Sequence, residues 1–353
     1  MNKLNRYVSN TIRSSILMVL FILLGFYSIA EIIDEVDLIE GNYTFSSVLK
    51  FVFYSIPGNV FDLLPFSALV GSLFGLGTLA NNSELVVIRS AGVSTRRIVW
   101  MVMRPTIVIM LFAVLVAEYI APVTENIAQS DRAIAMHKSD NIVNKEGLWH
   151  REGNNFMHFN VVQPNGILYG VTIYSFDDKR RLLETLFAER AIYQADHWIL
   201  EDFSISHLRS DSVEVSSGFS KPWDTDLTPV LLNFLILDPI DLSIEGLWEY
   251  SNYREQQGLN IGQYRLALWK KILQPLSTIS LVLIAISFIF GPLREVTMGF
   301  RVFIGVLFGV VFRTVQDMMS PASLVYGFEP LYASLLPILI CLIIGTWFLR
   351  RAK

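Results

Sequence analysis

The sequence predicts an α-helical integral membrane protein in which six transmembrane helices, arranged three and three, flank an inserted β domain. Three observations predict it. Of 353 residues, 52% are hydrophobic and only 17% charged, where a soluble domain carries roughly 25% charged residues; mean hydropathy is +0.46. Six runs are long and apolar enough to cross a bilayer, which takes about 20 such residues. Between the third and fourth run lie about 150 residues without a span, much of them alternating with period two.

The runs are, in order, about Ser15 to Ile33, Ile56 to Ala80, Ile98 to Ile120, Ile272 to Phe290, Val302 to Met319 and Leu331 to Leu349. The second is interrupted by Pro57, Asp62 and Pro65. A basic start, an apolar run and Ser28-Ile29-Ala30 also resemble a cleavable signal peptide. Retention as a span is the expectation, because the apolar stretch continues into Ile32 and Ile33.

Lysine and arginine set the orientation. With the N-terminus inside, twelve fall on inside segments: Lys3, Arg6, Arg13, Arg89, Arg96, Arg97, Arg104, Arg294, Arg301, Arg350, Arg351 and Lys353. The two short outside loops hold only Lys50. Both termini are therefore expected inside and the middle domain outside.

From Asn141 to about Leu237 the chain reads as β. VTIYSF (171–176) and LLETLFAERAIY (182–193) flank the polar turn DDKRR (177–181), a hairpin signal. HWILEDFSISHL (197–208) and VEVSSGFS (213–220) follow. Short strands at short intervals predict a sandwich or jelly roll. A helical stretch, about Ser243 to Gln257, leads back to the membrane. The chain thus divides into 1–123, spans one to three with a short helix at about 82–92; 124–268, the β domain and its helical connection; and 269–353, spans four to six.

Function classes narrow quickly. The net charge of −4 argues against a nucleic-acid binder. The one cysteine, Cys341, lies in an apolar run, so no disulfide forms within the chain. GxxxxGK[ST], HExxH, CxxC and GxSxG are all missing, so neither an ATP-binding P-loop nor a common hydrolase signature is present. The five histidines scatter over the β domain and its approach; only His150 and His158 are spaced to share a sheet face.

Four features remain. The stretch 81–98 predicts a short inside helix capped by Asn82 or Ser83, with Glu84 at its positive end, apolar surface from Leu85, Val86, Ile88 and Ala91, and Gly92 as its stop. It fits docking into a groove of another protein, and equally a helix lying among headgroups. Arg313, about eleven residues into the fifth run, is a charge at membrane depth; it either pairs with Asp317 on the same helix face or faces an anionic amphiphile. Gly71 and Gly75 form a GxxxG that permits close helix packing, within the chain or between subunits. Gly291-Pro292 stops the fourth span at the inside surface, with Arg294 and Arg301 anchoring the turn.

SELVVIRSAGVS (83–94), GLWHREGNNF (147–156), SFIFGPLR (287–294) and LVYG (324–327), set in this three-and-three layout, resemble the LptF/LptG permease family of the lipopolysaccharide exporter. The resemblance covers essentially the whole chain. In that family two related permeases, LptF and LptG, pair with a dimer of the cytoplasmic ATPase LptB, carry the single-span LptC, and pass lipopolysaccharide to a periplasmic bridge that includes LptA. The resemblance implies a permease subunit in the inner membrane of a Gram-negative bacterium, with cytoplasmic termini and a periplasmic β-jelly-roll domain. It implies no metal or cofactor on this chain, ATP and Mg being used by the ATPase.

The first and fifth spans then line lateral gates. Phe26, Ile29, Ile33 and Val310 are the candidates for the acyl-chain wall, Arg132 and Arg313 for the phosphates. The short inside helix docks on the ATPase, which makes Glu84, Leu85, Ile88 and Arg89 the coupling candidates. Some members carry lysines near the outer end of the first span, where this chain has Glu31, Asp34, Glu35 and Asp37. Two other classes stand against transport: a membrane scaffold or receptor, which needs no ATPase-docking helix, and a lipid-modifying enzyme, which needs an activated nucleophile or metal cluster.

Overall fold

The computed structural model describes residues 2–39, 41–137, 148–163, 166–194, 197–209, 212–229, 231–232, 238–256, 260–291 and 296–351. The chain divides into two compact units: Met1–Ala30, Ile56–Pro122 and Pro239–Lys353 in one, Glu31–Ser55 and Val123–Asp238 in the other.

Six of the described helices or helical runs are long and apolar enough to cross a membrane. They are α1 (Asn2–Val36), α2 (Phe45–Asn81), the continuous run α4 (Thr95–Leu115), π-turn (Val116–Ile120) and α5 (Ala121–His137), then α7 (Gly262–Phe290), α8 (Met298–Tyr326) and α9 (Pro330–Arg351). The described residues also include the short helices α3 (Glu84–Ser90) and α6 (Ile244–Gln256). Every span extends past its apolar window, the third by more than four turns, because a helix satisfies its own backbone whether or not lipid surrounds it. The segment Pro292–Arg294 lies outside the described residues.

Pro57, Asp62 and Pro65 do not interrupt the second span, contrary to the expectation from sequence. Proline at 65 removes the N–H that the Phe61 carbonyl would accept one turn back. Gln274 of α7 supplies the donor instead, its Nε2 at 2.7 Å from that carbonyl oxygen. Phe61, Leu64, Leu69, Leu73 and Leu76 of α2 then form the centre of the helical core with Ile12 and Ile16 of α1.

Small residues let the backbones approach. A Cβ at Gly71 would lie 2.6 Å from the Ile16 Cα, so the GxxxG at 71–75 serves packing of α2 on α1 within the chain. Gly305 and Gly309 do the same for α8, against Leu73 and against Phe66 with Leu69. Arg301, expected to anchor at the inside surface, is buried and donates from Nη1 to the Gly77 carbonyl at 3.3 Å.

The inserted domain is one six-stranded antiparallel sheet in sequence order: β1 (Leu148–Glu152), β2 (Asn155–Gln163), β3 (Ile167–Phe176), β4 (Leu182–Gln194), β5 (His197–Leu208) and β6 (Val213–Trp223). The sandwich or jelly roll expected from sequence takes this form, with two strands more than the hairpin signals mark. Gly153 (φ +56°) stands first in the β1–β2 turn, as a type II′ hairpin requires.

Register explains the core. His150, Met157, Ile173, Leu186 and Ile205 form one cross-strand row, and Phe159, Val171, Ala188 and Phe203 the next. The return segment covers this face with Leu227 and Leu232, and buried Trp198 donates from Nε1 to the Leu227 carbonyl at 2.8 Å. The same register corrects the histidine expectation. His150 pairs with Met157 in the buried row, whereas His158 pairs with Trp149 on the other face, its ring 4.7 Å from the indole.

Candidate functional site

Four places carry side chains of interest: the short helix α3, the exposed faces of α1 and α8, the cluster around Arg132, and a charged cleft among α2, α7, α8 and α9.

Helix α3 runs Glu84–Ser90, and Gly92 just beyond it has φ +85°. Gly92 donates its N–H to the Arg89 carbonyl and Val93 to that of Ile88, so the helix stops as expected. Its start differs. Ser83 occupies the capping position at φ 60° but makes no side-chain cap bond; the Asn82 amide reaches the Glu84 carboxylate at 3.5 Å instead. The apolar side also differs. Leu85 and Ile88 are buried in the chain's own helical core, at 6% and 7% exposure, while Val86 and Val87 stand 60% and 64% exposed. The face open to a partner is therefore Val86, Val87, Arg89 and Ser90, with Arg89 packed 5.8 Å over the Phe290 ring.

On α1, Phe26, Ile29 and Ile33 are 68%, 56% and 61% exposed, and on α8 Val310 is 51% exposed. The spacing 26, 29, 33 places three of these on one helix face, continued by Ile22. These are bulky apolar side chains that the chain itself does not cover.

Arg132 is engaged within its own unit. Its Nη2 lies 3.1 Å from a Glu35 carboxylate oxygen, and its guanidinium sits 5.3 Å over the Phe51 ring. Glu35 also accepts from the Tyr43 hydroxyl at 2.7 Å. Burial, then that bond, pushes the Tyr43 hydroxyl well above its usual pKa. Glu35, in the acidic stretch at the end of the first span, thus holds Arg132 and Tyr43 together.

Arg313 lies fifteen residues above the start of α8, farther than the apolar window indicates. It pairs with Asp317 at 3.6 Å, and Lys270 reaches the same aspartate at 3.4 Å. Together with Asp62, Lys271, Gln274, Gln316 and Ser334 these residues line one cleft. Sequence reasoning treated Asp62 as a break and passed over Lys270 and Lys271. The available signal was three charges at corresponding heights of different spans.

A second unforeseen construction lies beside it. The π-turn aims Glu118 at the start of α6, where its carboxylate accepts from the N–H groups of Ile244 at 2.9 Å and Glu245 at 3.2 Å. Ser243 takes the next two, Gly246 through its hydroxyl and Leu247 through its carbonyl. The three orphan donors of the first turn, at 244, 245 and 246, are thus satisfied, and Leu247 makes the first intrahelical bond. Lys271 closes the turn by donating to the Leu242 carbonyl at 2.5 Å. Among the described residues no group of three metal-ligating side chains gathers.

The family described as lipopolysaccharide export system permease LptF/LptG matches residues 6–351. The lipopolysaccharide export system permease protein LptG of Escherichia coli strain K12 is 37% identical over 352 residues, 99% of this chain and 98% of that protein. The protein of the same name from Haemophilus influenzae is 32% identical over 355 residues, 100% of this chain and 99% of that one.

Proposed function

The chain belongs to the LptF/LptG family of lipopolysaccharide export system permeases, and from that premise we propose how its residues serve export. It is a multi-pass membrane protein and a lipopolysaccharide export permease; the full-length match combined with three spans, an inserted sheet and three further spans carries that conclusion.

The proposed setting is the inner membrane of a Gram-negative bacterium, with both termini cytoplasmic and the sheet domain periplasmic. The twelve-to-one distribution of basic residues supports it. The paralogous permease LptF completes the pore, a dimer of LptB hydrolyses ATP with Mg, LptC joins through its single span, and LptA receives the lipid downstream. The chain holds no cofactor of its own in this reading; it is a transport subunit, not an enzyme.

The work divides between two ends. On the cytoplasmic side α3 meets the ATPase. Val86, Val87 and Arg89 form the contact, Glu84 lies at its edge beside the Tyr7 hydroxyl, and Leu85 and Ile88 fix the helix to the spans so that motion of α3 moves them. In the membrane, Phe26, Ile29 and Ile33 of α1 and Val310 of α8 offer acyl chains a wall that the chain leaves uncovered. A lipid entering there meets apolar surface without stripping any polar group of its partner, so entry and release stay shallow in free energy. Arg313 stands one turn beyond Val310 for the phosphates. Arg132 serves them only by exchanging Glu35 for the lipid, a competition that a carboxylate at 3.1 Å makes costly.

Photo-crosslinking tests this directly. A benzophenone side chain replacing Phe26, Ile29, Ile33 or Val310 in the assembled complex should give lipopolysaccharide adducts in cells. Replacing Ile16 or Leu20, buried on the other face of α1, should give none. Equal yields at both sets of positions would overturn the assignment.

A further inference from the structure

The cleft lined by Asp62, Lys270, Lys271, Arg313, Gln316, Asp317 and Ser334 belongs to no part of that account except through Arg313. Its height is set by the helices. Asp317 lies nineteen residues from Met298, Lys270 twenty from Phe290 and Asp62 nineteen from Asn81. At a rise of about 1.5 Å per residue these are about 28 to 30 Å from the ends of their helices. That distance is the thickness of a bilayer's hydrocarbon core, about 30 Å. Three spans thus place charged residues at one level, the boundary where lipid headgroups begin.

The chemistry of the cleft is asymmetric. Three cations face two carboxylates, a formal surplus of one positive charge. Asp317 is shared by Lys270 at 3.4 Å and Arg313 at 3.6 Å, both longer than the 2.7–2.9 Å or so of a full charge-assisted bond. The guanidinium keeps donors to spare. Ser334, only 4% exposed, has a hydroxyl with no hydrogen-bond partner in the described structure. Phe66, Leu281, Phe312 and Ile338 line the apolar part. The volume, about 110 Å³, holds an anionic group and its water but not acyl chains, which must run outside along the exposed face of α8.

We propose that this cleft binds the phosphate of an anionic lipid headgroup, with Arg313 and Lys270 as its cationic clamp and Asp317 as the built-in competitor that keeps the clamp occupied when no lipid is present. A tetrahedral oxyanion at this level engages both cations, and the Ser334 hydroxyl is a further donor in the same cleft. The site lies within one chain, on a different set of helices from the α1 wall, and it stands whether the occupant is the exported lipid or a resident phospholipid.

The test uses the full chain in its native complex, with a benzophenone side chain replacing Gln316 and irradiation in cells. An adduct reactive with lipopolysaccharide antibody, or one identified by mass spectrometry as a glycerophospholipid, supports the site and names its source. Lys270→Gln with Arg313→Gln should lower the adduct by roughly tenfold or more, the weight of hydrogen bonds to charged groups. Asp317→Asn should raise it at least about twofold, because the competitor is removed. A misfolded protein cannot give that increase. The proposal is overturned if no phosphorylated lipid is captured, if the double substitution leaves the yield unchanged, or if Asp317→Asn lowers it. Such a failure leaves export untouched, since crosslinking from Phe26 and Ile33 reports on that separately.

Discussion

Replacing Gly71 by alanine probes the packing of the first span on the second. The added Cβ would lie 2.6 Å from the Ile16 Cα and 2.9 Å from its backbone nitrogen. Carbon atoms rest at about 3.5–4.0 Å, so α1 must move off α2 by about 1 Å, and backbone atoms cannot rotate away. Overpacking of this kind costs about 1–3 kcal/mol, offset by at most about 1 kcal/mol of improved helix propensity. Gly75 is the internal control. Its Cβ would meet the Ile12 Cδ1 and the Ser15 Oγ at 2.9 Å, both ends of side chains that can rotate. Gly58 is a second control, with nothing within 4 Å. Thermal unfolding of the purified full-length chain should rank Gly71→Ala as clearly destabilised, Gly75→Ala mildly so and Gly58→Ala unchanged or improved. Because α1 carries the proposed lipid wall, Gly71→Ala should also lower export. Equal stability of the Gly71 and Gly75 variants would refute the backbone-contact argument.

Three further outcomes are expected. Gln274→Leu should cost about 0.6–1.7 kcal/mol, the range for hydrogen bonds between membrane helices, and that cost should shrink in a Pro65→Ala background, where the helix supplies its own donor to Phe61; an unchanged cost in the double variant refutes the rescue of that carbonyl. Glu118→Ala should destabilise α6 by about 0.5–2 kcal/mol, the worth of a helix cap, seen as faster hydrogen exchange at residues 244–247, with no change there as the contrary result. Burial holds the His158 imidazole below its usual pKa, so above pH 6.5 it contributes nothing, and as pH falls through 6.5 the unfolded chain takes up its proton first and sheet stability drops. Protection factors across 148–163, corrected for the intrinsic pH dependence of exchange, should therefore fall from pH 7.5 to pH 5.5, and His158→Asn should remove part of that fall; an identical pH response in the variant contradicts it.

Much of this molecule is legible in its sequence. The centres of the six spans, the 177–181 turn and the position of α3 follow from hydropathy and turn chemistry, because those signals are local. What escapes is whatever depends on a partner distant in sequence. Pro65 reads as a helix break until Gln274, 209 residues on, is seen to supply the missing donor. Leu85 and Ile88 read as a docking face, since periodicity shows that two residues share a side but not what covers it. His150 and His158 are spaced to share a sheet face, but the register of β1 on β2 puts them on opposite faces. Arg132 reads as a free cation because nothing local reveals Glu35. The cleft is hidden for the same reason: Asp62, Lys270 and Arg313 are isolated blemishes in three apolar runs, and only the side-by-side packing of those helices makes them neighbours.

We propose that this chain, a lipopolysaccharide export permease, is one permease half of an ATP-driven exporter moved through α3. The most direct measurement is to tag the chain, extract it gently from its own membranes, identify what accompanies it in stoichiometric amounts, and assay the complex in liposomes for ATP-dependent release of lipopolysaccharide to an added periplasmic acceptor. The account predicts a second permease of the family and a cytoplasmic ATPase, with release that stops on Glu84→Lys while the complex stays folded. Recovery of the chain alone in several mild detergents, or release indifferent to ATP, would contradict it.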